Sequence, residues 1–152
     1  MTSKKDHTYW MKQALEEASL AQDDVPVGCL ILHDHKVIGR GHNERERSGD
    51  PTGHAEIVAM RQAAKELKSW RLSGTTLYTT LEPCPMCAEA MIQSRVTTVV
   101  FGAYDNLSGA AGSMFNLFCS GRIYPIPHIV GGIQELECRE LMVNYFAQKA
   151  NR

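Results

Sequence analysis

The sequence contains no apolar run that approaches the length of a membrane-spanning helix. Its first ten residues, MTSKKDHTYW, lack the apolar core of a signal peptide. It also lacks internal repeats, low-complexity tracts and linkers. The formal net charge of −1 does not indicate a nucleic-acid binder, so any RNA partner would have to be held by a local patch. We therefore expect no membrane partner, and a cytoplasmic enzyme or binding module.

A disulfide framework is also not expected, because the five cysteines are an odd number in a chain without a secretion signal. Only Cys84 and Cys87 stand close together. Cys29, Cys119 and Cys138 are isolated in apolar surroundings, and we predict that each is a small core residue. The pair therefore indicates metal binding, and the other three indicate burial.

Length and pattern indicate one domain over residues 1–152, because this is the size of an ordinary domain and 43% of the residues are hydrophobic. Periodicity predicts helices over about 9–22, 54–67, 85–95 and 134–147. Strands are predicted over 27–33 and 36–43 as a hairpin, then over 75–81, 96–102 and an edge strand at 127–132. The predicted loops cover 44–53 and most of 103–127.

The order of these elements predicts an α/β fold class. A strand, a helix and a strand follow one another through residues 75–102, which implies a right-handed crossover and parallel pairing. The opening hairpin is antiparallel, so the sheet is mixed. We expect a three-layer α/β/α domain with a central five-stranded sheet that helices cover on both faces.

Two helix starts carry residues that favour metal chemistry. DPTGHAEIVAM, residues 50–60, places His54 two positions before Glu56. PCPMC places Cys84 and Cys87 in one helical turn, where unpaired N–H groups and the helix dipole favour thiolates. Two thiolates and one imidazole are a ligand set of catalytic zinc sites, in which water takes the fourth position. The spacing predicts one zinc ion bound by His54, Cys84 and Cys87.

Glu56 has a use in such a site. Residues i and i+2 of a helix point in different directions, so Glu56 need not bind the metal and can exchange protons with the water. Each half of the pattern is weak alone, since an ordinary capped helix would also carry polar residues at its start. A zinc-stabilised binding module without catalysis is a further alternative, but a purely structural site has no use for the carboxylate.

The H-x-E and P-C-x-x-C motifs resemble those of the zinc-dependent cytidine/nucleoside deaminase superfamily. Longer stretches narrow the resemblance to the bacterial tRNA-specific adenosine deaminases, from about Tyr9 to Phe146: VPVGCLIL, IGRGHNER, DPTGHAEIVAMRQA, WRLSGTTLYTTLEPCPMCAEAMIQSRVTTVVFGAYD and SGAAGS. The resemblance implies a cytidine-deaminase-like fold. It also implies hydrolysis of adenosine to inosine at the wobble position of a tRNA anticodon, in a cytoplasmic homodimer with one Zn²⁺ per subunit. The PCPMC helix would lie near the partner subunit.

Roles for individual residues follow from the same resemblance. His54, Cys84 and Cys87 would bind zinc, and Glu56 would shuttle protons. Asn43 would hydrogen-bond the base, Val27 and Leu81 would line its pocket, and Asp105 would touch the nucleotide beside the target. Turn or capping roles are open alternatives for Asn43 and Asp105.

The chain departs from the family pattern in GRIYPIPHIVGG, residues 121–132, where members often carry an Asn-His pair and a Val-Glu strand. Its C-terminus, YFAQKANR, is less basic than many relatives' tails. A local positive patch could still form from Arg122, Arg139, Lys149 and Arg152. The main alternative function is a free nucleobase or nucleoside deaminase of the same fold, of guanine or cytosine type.

Overall fold

Helices and strands alternate along the chain in a computed structural model that describes residues 5–151. In chain order they are α1 (His7–Ala18), β1 (Gly28–His33), β2 (Lys36–His42), α2 (Arg45–Ser48), α3 (Ala55–Leu67), β3 (Thr75–Leu81), α4 (Pro85–Gln93), β4 (Thr98–Ala103), β5 (His128–Val130) and α5 (Glu135–Ala150). A 3-10 turn, Ser19–Ala21, follows α1.

The strands form one mixed sheet in the order β2-β1-β3-β4-β5. Strand β1 pairs antiparallel with β2 and β3, whereas β4 pairs parallel with β3 and β5. In the centre of the sheet Ile31 lies opposite Leu77, and Leu77 lies opposite Val99. The predicted hairpin, parallel crossover and edge strand are confirmed.

Helices cover both faces because neighbouring residues of a strand point to opposite sides. One face packs against α3 and α4 through Cys29, Ile31, Leu77 and Val99. The other packs against α1 and α5 through Leu30, Leu32, Tyr78 and Val100. Each fully buried aliphatic side chain contributes about 1.5–3 kcal/mol, so the three-layer α/β/α arrangement follows from strands that are apolar on both sides.

Gly41 lets α3 lie directly on the hairpin. A Cβ atom at Gly41 would come within 2.3 Å of the carbonyl oxygen of Ala55, in the first turn of α3. One turn further along α3, a Cβ atom at Gly39 would lie 2.4 Å from the carbonyl oxygen of Ala59. The two glycines therefore fix the position of α3, whose first turn carries the candidate site.

The predicted loop over residues 44–53 is wrong in part, because α2 lies within it. Asp24 explains this helix: its Oδ1 and Oδ2 accept hydrogen bonds from the backbone N–H groups of Glu46 (2.8 Å) and Arg47 (3.2 Å). A carboxylate that accepts from the first N–H groups stabilises a helix start. Here the carboxylate is distant in sequence, so the local pattern did not reveal it.

Several other boundaries and one burial prediction also differ. Helix α1 ends at Ala18, and α5 continues to Ala150. Cys29 and Cys138 are buried as predicted, but Cys119 is exposed, because it lies in the irregular segment before β5 rather than on the sheet. Within the part of the chain that the structure describes, no helix has the length and apolar character needed to span a bilayer.

Candidate active site

Three predicted ligand atoms meet where α3 and α4 begin. The Nδ1 atom of His54 lies 3.5 Å from the Cys84 sulfur and 3.4 Å from the Cys87 sulfur. All three ligand atoms lie within 4.8 Å of one another. Tetrahedral zinc, with bonds of about 2.3 Å to sulfur and 2.0 Å to nitrogen, separates these atoms by about 3.5 Å. His54, Cys84 and Cys87 are therefore positioned as zinc ligands.

Helix geometry brings these ligands together. His54 is the N-cap residue of α3 and Cys84 is the N-cap residue of α4, both in extended backbone conformations. Pro85 occupies the start of α4, where its fixed φ suits the helix and its missing N–H costs nothing. Cys87 follows within the same turn. Both helices lie on one face of the sheet and start at the same end, so two sequence motifs form a single site.

The pKa values of the Cys84 and Cys87 thiols shift in opposite directions. The pKa of Cys84 is lowered to about 4, chiefly because Cys87 donates a hydrogen bond to its sulfur. The same hydrogen bond, together with burial, raises the pKa of Cys87 above its ordinary value. The hydrogen bond to Cys84 also raises the pKa of His54. One thiolate thus forms readily, and a bound cation would displace the proton from the second sulfur.

Glu56 lies beside this ligand set in the first turn of α3, and only 4% of its surface is exposed. Its Oε1 accepts a hydrogen bond of 3.1 Å from the hydroxyl of Thr79. Burial raises the pKa of the Glu56 carboxyl above its ordinary value. A raised pKa makes the carboxylate a stronger base toward water, which suits general acid–base chemistry.

A cavity of about 150 Å³ opens onto these groups. Every predicted site residue except the buried Cys87 lines it: Val27, Asn43, His54, Glu56, Leu81, Cys84 and Asp105. A wider cleft of about 540 Å³ lies at the other end of β3, where Gly74 and Thr76 line it. The smaller cavity is the candidate site because it holds the ligand set.

Asn43 and Asp105 both have turn roles as well as places in the cavity wall. The backbone N–H of Asn43 donates to Val27 O (3.1 Å), and its Oδ1 accepts from the backbone of Arg45 (3.2 Å). Asp105 accepts through Oδ1 from the backbone of Leu107 (3.0 Å), and through Oδ2 from the Ser108 hydroxyl (3.0 Å). Their contacts with a substrate stay predictions.

The structure adds four residues to the site that the sequence interpretation did not include: Arg45, Thr79, Glu82 and Ser108. The guanidinium of Arg45 lies 3.4 Å from His54 Nε2, and Arg45, Glu82 and Ser108 line the cavity. Thr79 could have been predicted from the strand pattern, because it lies two residues after the core residue Leu77 and therefore on the same face of the sheet. Glu82 could have been noted from its place two residues before Cys84.

The four candidate residues of a positive patch have different surroundings. The guanidinium of Arg122 forms two contacts of 2.8 Å with the carboxylate of Glu89. Arg139 lies 3.6 Å from Glu135 in α5, and Arg152 lies outside the described residues. Lys149 donates to the hydroxyl of Tyr145 at 3.2 Å. Acidic neighbours therefore offset two of these positive charges.

Comparisons with known proteins agree with this geometry. Residues 4–103 match the model of the cytidine and deoxycytidylate deaminase zinc-binding region. The tRNA-specific adenosine deaminase of Bacillus subtilis is 41% identical, over 91% of this chain and 88% of that protein. The chloroplastic tRNA(adenine(34)) deaminase of Arabidopsis thaliana is 44% identical over 90% of this chain, which spans only 12% of that longer protein.

Two similar solved structures represent the main function and its alternative. A structure from studies of A-to-I editing by tRNA:A34 deaminases at the wobble position of transfer RNA has a TM-score of 0.85 and 38% identity, and the match covers 89% of this chain and 99% of that one. Guanine deaminase from Bacillus subtilis has a TM-score of 0.63 and 36% identity, over 66% of each chain. The chain therefore belongs to the cytidine and deoxycytidylate deaminase zinc-binding family, within its group of tRNA-specific adenosine deaminases.

Proposed function

We propose that this protein is a zinc-dependent hydrolytic deaminase that converts adenosine to inosine at the wobble position of a tRNA anticodon. One observation carries the proposal: a buried carboxyl, Glu56, lies next to a three-ligand metal set at the wall of a cavity. A purely structural zinc site would not need such a carboxyl. The likeness to tRNA-specific relatives supports the choice of substrate.

The chemical roles follow from this geometry. His54, Cys84 and Cys87 would hold zinc, which would supply a Lewis acid that lowers the pKa of water to about 7. Glu56 takes a proton from the attacking water as the water oxygen bonds to C6, and passes it to the ring nitrogen beside C6. It then carries the second proton from the new hydroxyl to the amino nitrogen, so that the C6–N bond breaks and ammonia leaves. The hydroxyl of Thr79 fixes the Glu56 carboxyl on one side. Such positioned proton transfer contributes a factor of about 10²–10⁴ in rate.

The cavity wall supports the proposed recognition of adenosine. Val27 and Leu81 supply apolar surface against which a purine ring can pack. Asn43 carries an amide that can satisfy both donor and acceptor sites on a purine edge. Asp105 lies in the loop that borders the cavity, which suits contact with the nucleotide beside the target.

We also propose that the protein is a homodimer. A groove of about 220 Å³ runs between α3 and α4, and its lining is mainly apolar: Ile57, Met60, Ala64, Trp70, Leu72 and Ala90. Trp70 is 55% exposed there. Ala90 and Ser94, near the C-terminal end of the helix that begins in PCPMC, line the groove, and a second copy would cover it. Ala64→Glu should shift the mass measured by light scattering to the monomer, whereas Ala147→Glu on exposed α5 should not.

Residues 1–152 are proposed to be one deaminase domain that works in the cytoplasm. Strand β5 and helix α5 lie beyond the family match but complete the sheet and cover it, which supports one domain. Free cysteines suit a reducing compartment.

The deciding experiment uses an anticodon stem-loop with adenosine at the wobble position, with free adenosine, cytidine and guanine incubated in parallel. We expect inosine in the stem-loop and no turnover of the free compounds. Deamination of guanine or cytidine alone would instead establish the alternative, a free-base or nucleoside deaminase. Loss of inosine formation after replacing the wobble adenosine with guanosine is the matched control.

A further inference from the structure

Glu82 is a buried carboxylate that the proposed chemistry does not use. It follows β3, lies two residues before Cys84, and is only 2% exposed. Its backbone N–H donates to Ala103 O at 2.8 Å, which places the residue at the ends of β3 and β4. Burial of a charge is costly unless hydrogen bonds compensate for it. The compensation at Glu82 comes from one loop.

Four donors of residues 105–113 meet the Glu82 carboxylate. Oε1 accepts from the backbone of Asp105 at 3.0 Å and from the hydroxyl of Ser113. Oε2 accepts from the backbones of Ala111 (2.9 Å) and Ser113 (3.1 Å). An ionised carboxylate has about four lone-pair sites, so this loop fills its whole capacity. Among residues 5–151, no lysine, arginine or histidine forms an ion pair with Glu82.

Gly109 gives a second, independent sign that the loop is built around this carboxylate. A Cβ atom at Gly109 would lie 2.4 Å from Glu82 Cδ and 2.5 Å from Asp105 O. No other residue type could approach so closely. The backbone N–H of Ala110 also donates to Pro83 O at 2.8 Å. The loop is thus attached to the segment that leads directly into Cys84.

The attached loop forms one wall of the candidate cavity, since Asp105, Ser108 and Glu82 itself line it. We infer that Glu82 is a positioning residue, whose buried carboxylate holds the 105–113 loop closed as the wall against which the substrate nucleotide binds. It acts on substrate binding, through the loop, rather than on the chemical step. The substrate part of this inference rests on the proposed function.

Hydrogen exchange tests the loop without any substrate. One hydrogen bond to a charged group is worth roughly a factor of 10 to 100 in the population of an opened state. Gln at position 82 replaces an acceptor oxygen by a donor and cannot satisfy all four loop groups. In the zinc-loaded full-length protein, Glu82→Gln should therefore speed exchange across 105–113 by about 10-fold or more. Glu66→Gln, on the exposed side of α3, should leave it unchanged.

Steady-state kinetics on the wobble-adenosine stem-loop tests the link to binding. Glu82→Gln should raise KM by about 10-fold with kcat nearly unchanged, and its zinc content should equal that of the wild-type protein. Gly109→Ala should give the same split, because it displaces the loop without altering the carboxylate. Ser113→Ala removes one donor only and should give a smaller increase in KM.

Three outcomes would overturn the inference: unchanged exchange in Glu82→Gln, a fall in kcat with constant KM, or loss of zinc. A fall in kcat with constant KM would show that Glu82 acts in the chemical step. Loss of zinc would show that Glu82 stabilises the position of Cys84. A wild-type protein that fails to deaminate the stem-loop would reject the proposed function alone. The exchange result would still decide whether Glu82 holds the loop.

Discussion

The hydroxyl of Thr79 donates a hydrogen bond of 3.1 Å to Oε1 of Glu56, and neither side chain has significant exposure, at 0% and 4%. Thr79 belongs to β3 and Glu56 to the first turn of α3, so this bond joins the sheet to the helix that carries the metal-binding histidine. It fixes one oxygen of the carboxyl and restricts the directions in which the group can face. The sheet thereby takes part in orienting the proton-transfer group.

Thr79→Val should lower kcat and leave the zinc content unchanged. Valine keeps the volume but removes the donor, and a hydrogen bond to a charged group is worth about 1.5–3 kcal/mol. We expect a fall in kcat of about 10-fold or more, measured by inosine formation in a stem-loop. Thr76→Val, in the same strand but at the far cleft, is the control. Equal activity of the two variants would show that the bond does not orient Glu56.

Glu56→Ala should separate metal binding from catalysis. The carboxylate is beside the ligand set rather than in it, so zinc measured by atomic emission should stay at one per chain. Deamination should fall by about 10²–10⁴, the usual contribution of a positioned acid or base. Glu66→Gln, an exposed change on the same helix, should keep full activity. A fully active Glu56→Ala enzyme would remove Glu56 from the mechanism.

Cys84→Ser should weaken zinc binding by more than about 100-fold, because even changes to groups behind a ligand cost 10- to 100-fold. Zinc retained after dialysis against a weak chelator measures this effect. The unfolding temperature should fall as well, since metal binding stabilises only the folded ligand set. Cys119→Ser changes an exposed cysteine and should alter neither quantity. Equal zinc retention in both variants would contradict the assigned ligand.

Much of the fold could be predicted from local patterns. Short runs rich in apolar or β-forming residues predicted the five strands, and the order of elements through residues 75–102 predicted the parallel crossover. The metal set was also predictable, because His54, Cys84 and Cys87 each stand at a helix start and such positions favour thiolates and exposed N–H groups. Their mutual distances then followed from two helices that start at one end of the sheet.

What could not be predicted depends on contacts between residues far apart in sequence. Helix α2 is stabilised by Asp24, which lies 22 residues before Glu46. The donors to Glu82 lie between 23 and 31 residues away. Neither set of contacts changes the apolar periodicity of the segments involved, so the sequence pattern does not indicate these contacts. The substrate roles of Asn43 and Asp105 stay predictions, since proximity to a cavity does not by itself assign contacts.

Alkaline pH should reveal the buried phenol of Tyr78. Burial, and then the nearby Asp6 carboxylate, raise the pKa of Tyr78 from 10.0 to about 12. Between these values the unfolded chain has lost the proton and the folded chain keeps it, so the free energy of unfolding falls as pH rises. Two pKa units correspond to at most about 2.7 kcal/mol.

Urea midpoints from pH 9 to 12 should therefore fall more steeply for the wild-type protein than for Tyr78→Phe, which has no proton to retain. Tyr104→Phe, at a half-exposed tyrosine, should follow the wild-type curve, and parallel curves for Tyr78→Phe and wild type would show that the phenol ionises alike in both states.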